Sequence, residues 1–439
     1  MTDRKPIVAI IGRQNVGKST LLNRIAGKRV AIVEDLPGTT RDRVFADAVW
    51  EGKGFTVVDT GGLEITAETE IGRGVLHQVR AAMEEADMVL VVTDVKEGVM
   101  PTDYEIADML RSTRKPVILA VNKVDNDALE AQAVEFYQLG LGDPIPISAH
   151  HARGTAELLD RIVSQLPTVA ATPPGPEIMK VAIVGRPNVG KSMLLNAILG
   201  QERSVVSATP GTTRDAVDTP FDFAGTGVLL IDTAGIRKRG SVELGVERYS
   251  VLRSLRAIDR CDVAVLVLDA TELVTAQDTH VAGYIQQAYK GIVIVVNKWD
   301  RVTDRKEAAW VHTIQESFKF VSYAPVLFIS ALTGEGVATV MPTASLVYTE
   351  RGKRVTDVEV RSLLQQAVAA HAPPRKGKRE MMVKGGTQTA INPPTFTIRV
   401  NDERLLHFSY QRYLENQFRQ AFGFAGTAIR LVFTTGGTA

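Results

Sequence analysis

The chain contains one set of motifs twice, and this duplication constrains its fold more than any other feature. The segment Gly12–Ser19 (GRQNVGKS) recurs 173 residues later as Gly185–Ser192 (GRPNVGKS). Two further blocks, Pro37–Asp42 (PGTTRD) and Asp59–Gly62 (DTGG, which recurs as DTAG), recur in the same order at the same displacement. Solenoid repeats span only about 20–50 residues, so a period this long indicates two duplicated domains.

Each copy has the sequence context that a phosphate-binding loop requires. The apolar run Val8–Ile11 leads into the first glycine-rich loop, and Leu21, Leu22 and Ile25 follow at helical spacing. The second copy repeats this order of apolar run, loop and helical pattern, beginning at Met179–Val184. Strand, loop and helix in this order predict a P-loop NTPase domain in each copy. The alternative, a glycine turn that only joins a strand to a helix, is disfavoured by the other repeated blocks.

Four residue types in each copy are expected to act on phosphate and Mg²⁺. The lysines bridge the β- and γ-phosphates, the serines bind Mg²⁺, and the loop glycines let backbone N–H groups converge on phosphate. The aspartates end apolar runs and therefore lie at the ligand-binding edge of a parallel sheet, where they hold Mg²⁺ through water. The last glycines donate an N–H to the γ-phosphate, a contact specific to the triphosphate state and hence the basis of a switch. These residues are Lys18, Ser19, Asp59, Gly62, Lys191, Ser192, Asp232 and Gly235.

Base selection is assigned to Asn122–Asp125 (NKVD) and Asn297–Asp300 (NKWD), which follow the aspartate blocks by 63 and 65 residues. The aspartate carboxylate can accept two hydrogen bonds from guanine N1–H and N2–H₂. Adenine lacks this donor pair and leaves the acceptor unsatisfied, at a cost of about 1–3 kcal/mol or more. Ser148-Ala149 and Ser330-Ala331 complete the guanine pockets, so both copies are predicted to bind GTP rather than ATP.

The predicted GTP contacts can be stated residue by residue for each copy. In the first they are Gly12, Arg13, Gln14, Asn15, Val16, Gly17, Lys18, Ser19, Thr20, Asp59, Thr60, Gly61, Gly62, Leu63, Asn122, Lys123, Val124, Asp125, Ser148 and Ala149. In the second they are Gly185, Arg186, Pro187, Asn188, Val189, Gly190, Lys191, Ser192, Met193, Asp232, Thr233, Ala234, Gly235, Ile236, Asn297, Lys298, Trp299, Asp300, Ser330 and Ala331.

Both copies lack the glutamine that orients the attacking water in Ras-like enzymes. Leu63 and Ile236 occupy those positions, and neither can hydrogen-bond a water molecule. Hydrolysis is therefore expected to be slow in the isolated protein and to use another group, an ion or a partner. Arg41 and Arg214 lie in the switch region and are either arginine fingers or, as we favour, structural or partner contacts.

Composition restricts location and partners. The 439 residues contain one cysteine, Cys261, which excludes an intramolecular disulfide and is expected to be a small buried side chain. No apolar run approaches the ~20 residues of a membrane span, and no secretory signal precedes Ile7–Ile11, so we expect a cytoplasmic protein. Residues 352–439 hold 13 Lys/Arg against 6 Asp/Glu, a net charge of +7. This basic segment indicates either a phosphate-rich partner or a solvated charged face.

The C-terminal segment has the pattern of a small third domain. Asp357–Ala370 suits a helix, and Phe396–Val400 alternates like a half-buried strand. A helix with an aromatic face (Tyr410, Tyr413, Leu414, Phe418, Ala421, Phe422) and a final strand at 429–433 follow, and we expect these aromatic side chains to be core. The α/β order fits a KH-like domain, but no G-x-x-G loop of the kind that clamps a nucleic-acid backbone is present. His407 is expected to be structural.

Two G domains with these motifs and a short basic domain resemble the Der/EngA family of bacterial ribosome-assembly GTPases. The segments Asn392–Phe396, Val400-Asn401, Tyr413–Asn416 and Ala421–Phe424 also resemble that family's last domain. The expected architecture is two tandem α/β P-loop GTPase domains, each a mostly parallel sheet with helices on both faces, and a C-terminal α/β KH-like domain. The expected bounds are 4–167, a proline-rich linker at 168–177, 178–351, and 352–435.

The resemblance implies several functional properties. The family acts in maturation of the large (50S) ribosomal subunit and binds it in a nucleotide-dependent way, so we expect that subunit and its rRNA as partners. Asn15 and Asn188 match the asparagine of potassium-activated relatives, in which K⁺ takes the place of an arginine finger, an effect of roughly 10³–10⁵ in rate. Thr40 and Thr213 match the switch residue that reaches Mg²⁺ and complete the expected catalytic set. We also expect a monomer, although no sequence feature supports that expectation.

The sequence departs from the family pattern in three places. Met193 replaces a small hydroxyl residue, which leaves Ser192 and Mg²⁺ binding intact but can change nucleotide affinity. Lys376–Gly386 is less aromatic than the usual strand, and the end after Thr434 lacks a basic tail. The last two departures concern RNA contact rather than GTP hydrolysis.

Other readings of the chain are less well supported. A small-molecule kinase would lack the N-K-x-D blocks. A potassium-dependent GTPase directed to another RNA or to a membrane partner has no membrane segment or lipidation signal to support it. Arg237-Lys238-Arg239 follows the second switch, where the first copy has Glu64-Ile65-Thr66. This contrast predicts either an RNA or interdomain contact by the second switch, or only solvated surface.

Overall fold

The computed structural model describes residues 5–27, 45–60, 79–80, 83, 85–166, 178–201, 218–233, 250–272, 274–373, 375–376 and 379–435. They fall into two compact units, one containing the described residues up to 166 with 250–256, the other containing 178–233 and 257–435. Each copy of the motif set therefore has its P-loop in a different unit. The C-terminal segment shares the unit of the second P-loop.

The first copy folds around a six-stranded sheet. Its strands are β1 Ile7–Ile11, β2 Phe45–Trp50, β3 Lys53–Asp59, β4 Met88–Asp94, β5 Val117–Asn122 and β6 Ile145–Pro146. Its helices are α1 Lys18–Gly27, α2 Pro101–Leu110, α3 Asp127–Gln132 and α4 Thr155–Gln165, with a 3₁₀ segment at Ala133–Leu139. The strand order is β2-β3-β1-β4-β5-β6, in which only the β2–β3 pair is antiparallel.

Burial explains why this sheet is mostly parallel. Every residue of β1 and β4 is buried, as expected for strands covered by helices on both faces. On one face, Leu21 of α1 and Leu158 of α4 belong to the same apolar cluster as Val8 and Leu90. Because both faces are covered, the polar ends of the strands are left at the sheet edge, where the motif loops begin.

The second copy repeats this arrangement. Its strands are β7 Met179–Val184, β8 Thr219–Phe223, β9 Thr226–Ile231, β10 Val263–Asp269, β11 Gly291–Asn297 and β12 Val326–Phe328. Its helices are α5 Lys191–Gln201, α6 Ser250–Arg260, α7 Ala276–Gln287, α8 Glu307–Ser317 and α9 Val340–Arg351, with 3₁₀ segments at Trp299–Arg301, Lys319–Val321 and Val337–Thr339. Read from the edge strand β8, the order is β8-β9-β7-β10-β11-β12, which matches the order of the first sheet strand for strand. The predicted duplication and α/β class are confirmed.

The C-terminal segment forms a three-stranded sheet, a separate two-stranded sheet and two helices. It comprises α10 Asp357–Ala370, β13 Arg375–Lys376, β14 Arg379–Glu380, β15 Val383–Ala390, β16 Thr395–Val400, a 3₁₀ turn at Glu403–Leu405, α11 Phe408–Phe422 and β17 Arg430–Thr434. Strand β16 pairs antiparallel with β15 and parallel with β17. The predicted helices and the last two strands are confirmed. Strand β15 was not predicted from the residue pattern, because its sequence VKGGTQTA contains two glycines and has no apolar alternation.

Most expectations about single side chains in this unit are confirmed, and one is wrong. Tyr410, Leu414 and Phe418 are buried, and Tyr413 and Phe422 are partly buried against the same core, but Ala421, expected on the same face, is exposed. His407 is structural, since its Nδ1 accepts a hydrogen bond from the N–H of Ser409 at the start of α11. Cys261 is buried, and burial raises the pKa of its thiol to about 12.

A buried arginine connects the second sheet to the C-terminal segment. The guanidinium of Arg351 donates to the carbonyl oxygen of Tyr289 at 2.8 Å and to Asn392 Oδ1 at 2.7 Å. Nearby, the Ile292 N–H donates to the carbonyl oxygen of Gly426 at 2.7 Å. A buried guanidinium satisfied from both sides is costly to separate, so this contact favours a fixed attachment of the C-terminal segment.

Candidate GTP-binding sites

The two P-loops share one backbone conformation. In the first, φ is 152° at Gly12, 62° at Asn15 and 95° at Gly17; the corresponding angles in the second are 142°, 63° and 96°. The loops run from the ends of β1 and β7 to helices that begin at Lys18 and Lys191. A loop that ends at a helix N-terminus, where backbone N–H groups are unpaired, suits a phosphate anion.

The first glycine of each loop fits against a neighbouring strand with no room for a side chain. A Cβ atom at Gly12 would lie 2.3 Å from the carbonyl oxygen of Val92, and one at Gly185 would lie 2.5 Å from that of Val267. Both contacts are with backbone, which cannot rotate away as a side chain would.

We therefore expect Gly12→Ala to displace the first loop and to weaken GDP binding at that site by at least about tenfold, since a small misplacement of phosphate-binding groups is costly. Gly54→Ala is the matched control, because nothing lies within 4 Å of a Cβ there. Titration with a fluorescent GDP analogue measures both. Equal affinity of Gly12→Ala and the control would contradict the tight-approach explanation.

The P-loop lysines lie over the loop. Lys18 Nζ donates to the carbonyl oxygens of Gly12 at 2.8 Å and Arg13 at 2.7 Å. Lys191 Nζ makes the same two contacts in the second copy, at 2.7 and 2.6 Å. Each ammonium group is thus held beside the loop in which phosphate is predicted to lie.

The arginine that follows the first glycine is held by carboxylates in both copies. Arg13 Nε donates to Asp103 Oδ1 at 2.9 Å, and its Nη1 to Glu97 Oε2 at 2.7 Å. Arg186 repeats this with Glu272, and its Nε lies 3.5 Å from Asp278 Oδ2. These side chains tie each P-loop to the start of the helix that follows β4 or β10. Any contact of Arg13 and Arg186 with GTP is therefore assigned to their backbone.

Two of the three predicted magnesium ligands of the first copy meet. Ser19 Oγ donates to Asp59 Oδ2 at 2.6 Å, and Asp59 is fully buried. A hydroxyl and a carboxylate at this spacing fit Mg²⁺, which takes oxygen ligands and completes its shell with water and phosphate. Among the described residues no group of three or more His, Cys, Asp or Glu forms a separate metal site.

The second copy differs at the corresponding position. Ser192 and Asp232, both within the described residues, do not share a hydrogen bond; the Asp232 N–H instead donates to Asp218 Oδ1 at 2.9 Å. Asp232 has φ 58°, in the left-handed region. The conformation at Asp232 thus differs from that at Asp59, although the sequence blocks are alike.

Several predicted residues lie outside the described part of the chain. Their roles in switching and hydrolysis stay predictions. They are Thr40, Arg41, Gly61, Gly62, Leu63, Thr213, Arg214, Ala234, Gly235, Ile236 and residues 237–239.

The asparagine of each N-K-x-D block connects two loops. Asn122 Nδ2 donates to the carbonyl oxygen of Val16 in the P-loop at 2.8 Å, and its Oδ1 accepts from the Ala149 N–H at 3.0 Å. Asn297 makes the same pair of bonds with Val189 and Ala331 at 2.8 and 2.9 Å. The side chain thereby fixes the guanine loop relative to the phosphate loop, a distance that a nucleotide has to span.

The lysine of each block pairs with an aspartate at the end of the neighbouring strand, β4 in the first copy and β10 in the second. Lys123 Nζ pairs with Asp94, and Lys298 Nζ lies 2.5 Å from Asp269 Oδ2. Both lysines have positive φ, 66° and 63°. In the first copy Ser148 Oγ donates to Asp125 Oδ1 at 2.8 Å, so the predicted serine and aspartate of the guanine pocket are in contact.

Comparison with known proteins agrees with this geometry. Residues 7–123 and 180–298 match a family described as 50S ribosome-binding GTPase, and residues 354–434 match the KH-domain-like C-terminal domain of EngA bacterial GTPase enzymes. The GTPase Der of Chloroflexus aggregans is 50% identical over 439 residues, which cover 98% of each chain. The GTPase Der of Moorella thermoacetica is 50% identical over 434 residues, covering 98% of this chain and 99% of the relative. This chain belongs to the GTPase Der family.

Membership of the Der family makes the chain a GTP-hydrolysing enzyme of ribosome biogenesis that uses GTP, GDP and Mg²⁺. A crystal structure of Era in complex with MgGDPNP and nucleotides 1506–1542 of 16S ribosomal RNA is also similar, with 22% identity and a TM-score of 0.31, covering 58% of this chain and 92% of Era. Within the described residues, no helix of this Der-family protein is long and apolar enough to cross a membrane.

Sequence reasoning missed the carboxylates that support both Der-type sites. They recur between the copies at a displacement of 175, which is also the displacement of the N-K-x-D blocks. That shared displacement was the available signal. The pairs are Asp94 and Asp269, Glu97 and Glu272, and Asp103 and Asp278.

Proposed function

We propose that this Der-family GTPase acts on the large ribosomal subunit and binds it in a manner controlled by nucleotide at both G domains. The observation that carries the proposal is the duplicated site geometry, in which P-loop angles, lysine contacts and the asparagine bridge agree between copies. The description of the matching family as ribosome-binding supports the choice of partner. The chain is proposed to act as a cytoplasmic monomer, with domains at 4–167, 178–351 and 352–435.

Each site has a division of roles under this proposal. The P-loop backbone and lysine hold the phosphates, while Ser19 with Asp59, and Ser192 with Asp232, hold Mg²⁺ when it is bound. Mg²⁺ supplies charge neutralisation at the phosphates. The Asp125 and Asp300 carboxylates read guanine N1–H and N2–H₂. Residues 37–42, 61–63, 210–215 and 234–236 supply the contacts that distinguish GTP from GDP.

Potassium dependence is part of the proposal for hydrolysis. Neither copy has a water-orienting glutamine after its aspartate block, so hydrolysis needs another group, and a bound cation can stabilise the charge of the transition state. Asn15 and Asn188 are proposed to contribute to a K⁺ site. Both asparagines have a left-handed φ, a conformation that asparagine tolerates better than most residues. Their identity therefore supports a K⁺ site only in combination with the missing glutamine.

Co-sedimentation with purified large ribosomal subunits, in K⁺ buffer with Mg²⁺, tests the proposed function. Binding is expected with a non-hydrolysable GTP analogue and to be weaker by at least tenfold with GDP, the change of about 1.4 kcal/mol that a useful switch requires. Small subunits serve as the control. Equal binding under both nucleotides, or no preference for large subunits, would contradict the proposal.

A further inference from the structure

The carboxylate predicted to read guanine in the first site is held on both oxygens by the protein itself. Lys96 Nζ lies 2.7 Å from Asp125 Oδ2, and Ser148 Oγ donates to Oδ1 at 2.8 Å. His151 Nε2 is 4.0 Å from Oδ1. The hydrogen bonds from Lys96 and then Ser148 hold the pKa of Asp125 below its usual range, so this carboxylate is a weakened acceptor.

The second site has no equivalent of Lys96. The residue at the matching position is Thr271, two residues after the aspartate that ends the strand, as Lys96 is. Thr271 Oγ1 donates to Asp269 Oδ1 at 2.7 Å and is not hydrogen-bonded to Asp300. Within the described part of the chain, no lysine, arginine or histidine forms an ion pair with Asp300. The two sites therefore differ at the atom that recognises the base.

A cation on this carboxylate opposes guanine binding for a physical reason. Guanine offers two neutral N–H donors to the two oxygens, which together have about four lone-pair positions. Lys96 and Ser148 already use two of them, and the ammonium charge reduces the negative charge that the incoming donors meet. The base must share the carboxylate with Lys96 or displace it.

We propose that Lys96 is an affinity-setting residue of the first GTP site, which competes with the guanine base for Asp125 and makes this site release guanine nucleotides more readily than it otherwise would. This inference rests on the proposed role of Asp125 in reading guanine. The second copy, with Thr271, lacks this competition at Asp300.

The size of the effect follows from exposure. The side chains of Lys96 and Asp125 are 51% and 29% exposed, and exposed ion pairs of this kind change an equilibrium by roughly 1.4- to 5-fold. Removing Lys96 is therefore expected to tighten GDP binding at the first site by up to about five-fold at low salt. The gain should shrink as ionic strength rises, because salt screens exposed charges.

Reciprocal variants of the full chain test the inference. Variants of the first site also carry Asp300→Asn, and variants of the second site also carry Asp125→Asn. Each of these changes gives the other site a preference for xanthine, so that GDP binding reports only the site under study. Lys96→Thr should increase the affinity of the first site for GDP, and Thr271→Lys should lower that of the second site by a similar factor. Lys96→Arg should leave the affinity of the first site as it is with lysine. Inosine diphosphate lacks the 2-amino donor, so Lys96→Thr should increase the affinity for it less than the affinity for GDP.

The outcomes separate this inference from the proposed function. Unchanged or weaker GDP binding by Lys96→Thr, or an equal gain for GDP and inosine diphosphate, would overturn the role of Lys96 while leaving a guanine site. Absence of any preference for GDP over ADP in the unmodified chain would instead contradict the proposed function itself.

Discussion

Asparagine in place of Asp125 is expected to change the first site from guanine to xanthine nucleotides, and Asp300→Asn should do the same in the second. A carboxamide presents an N–H₂ group to the guanine N2–H₂, so two donors oppose each other, whereas the C2 carbonyl of xanthine can accept from that amide. Sites that hydrogen-bond a substrate group reject its mismatched analogue strongly, and we expect GDP affinity to fall by about 10³-fold or more at the changed site. Competition between GDP and xanthosine diphosphate measures the change.

Each variant has a control of the same chemistry close by. Asp127→Asn and Asp304→Asn change carboxylates that are 91% and 70% exposed, and both should leave the base preference of either site unchanged. An unchanged preference for GDP over xanthosine diphosphate would show that the carboxylate does not read the base. Such a result would contradict the assignment of Asp125 and Asp300 to base recognition.

Methionine in place of Arg13 is expected to destabilise the first repeat by about 3–5 kcal/mol. The side chain of Arg13 is 13% exposed and that of Asp103 is 1% exposed, so the substitution leaves a buried carboxylate without its cation. Calorimetry of the full chain without nucleotide measures the loss as a decrease in the stability of the first repeat. Arg153→Met is the control, because its partners Asp127 and Glu130 are exposed and the expected change is far smaller.

The second copy and a double variant sharpen this test. Arg186 lies 3.5 Å from Asp278, and burial raises the pKa of that carboxyl, so Asp278 can take up a proton when the arginine is lost. Arg186→Met should therefore cost less than Arg13→Met. Combining Arg13→Met with Asp103→Leu should recover part of the stability, since removing both charges avoids a buried unpaired ion. Additive losses in the double variant would contradict a direct coupling of the pair.

Residue spacing made the two mostly parallel sheets and the two P-loops predictable. Apolar strands, glycine loops and helical patterns recur at a constant displacement, and parallel strands leave their carboxyl ends at one edge. The roles of Asn122 and Arg13 were harder to predict, because their partners Val16, Ala149 and Asp103 are distant in sequence. A motif lists the residues of a site, but the contacts of a side chain depend on which loops the sheet brings together.

Strand β15 and the contrast between the two magnesium positions show the same limit. Val383–Ala390 is a strand because it pairs with β16, while its own sequence has weak strand propensity. Asp59 and Asp232 belong to similar blocks, yet Asp232 alone of the two has positive φ and bonds to Asp218. At the magnesium positions the sequence blocks are alike, so residues outside the blocks account for the different conformations.

The number of GDP molecules bound per chain tests the central claim, that both copies are working guanine-nucleotide sites, most directly. Calorimetric titration of the nucleotide-free protein with GDP in Mg²⁺ should give two sites per chain, and one in either Asp125→Asn or Asp300→Asn. A single site in the unmodified chain, or a second one that neither substitution removes, would contradict the claim.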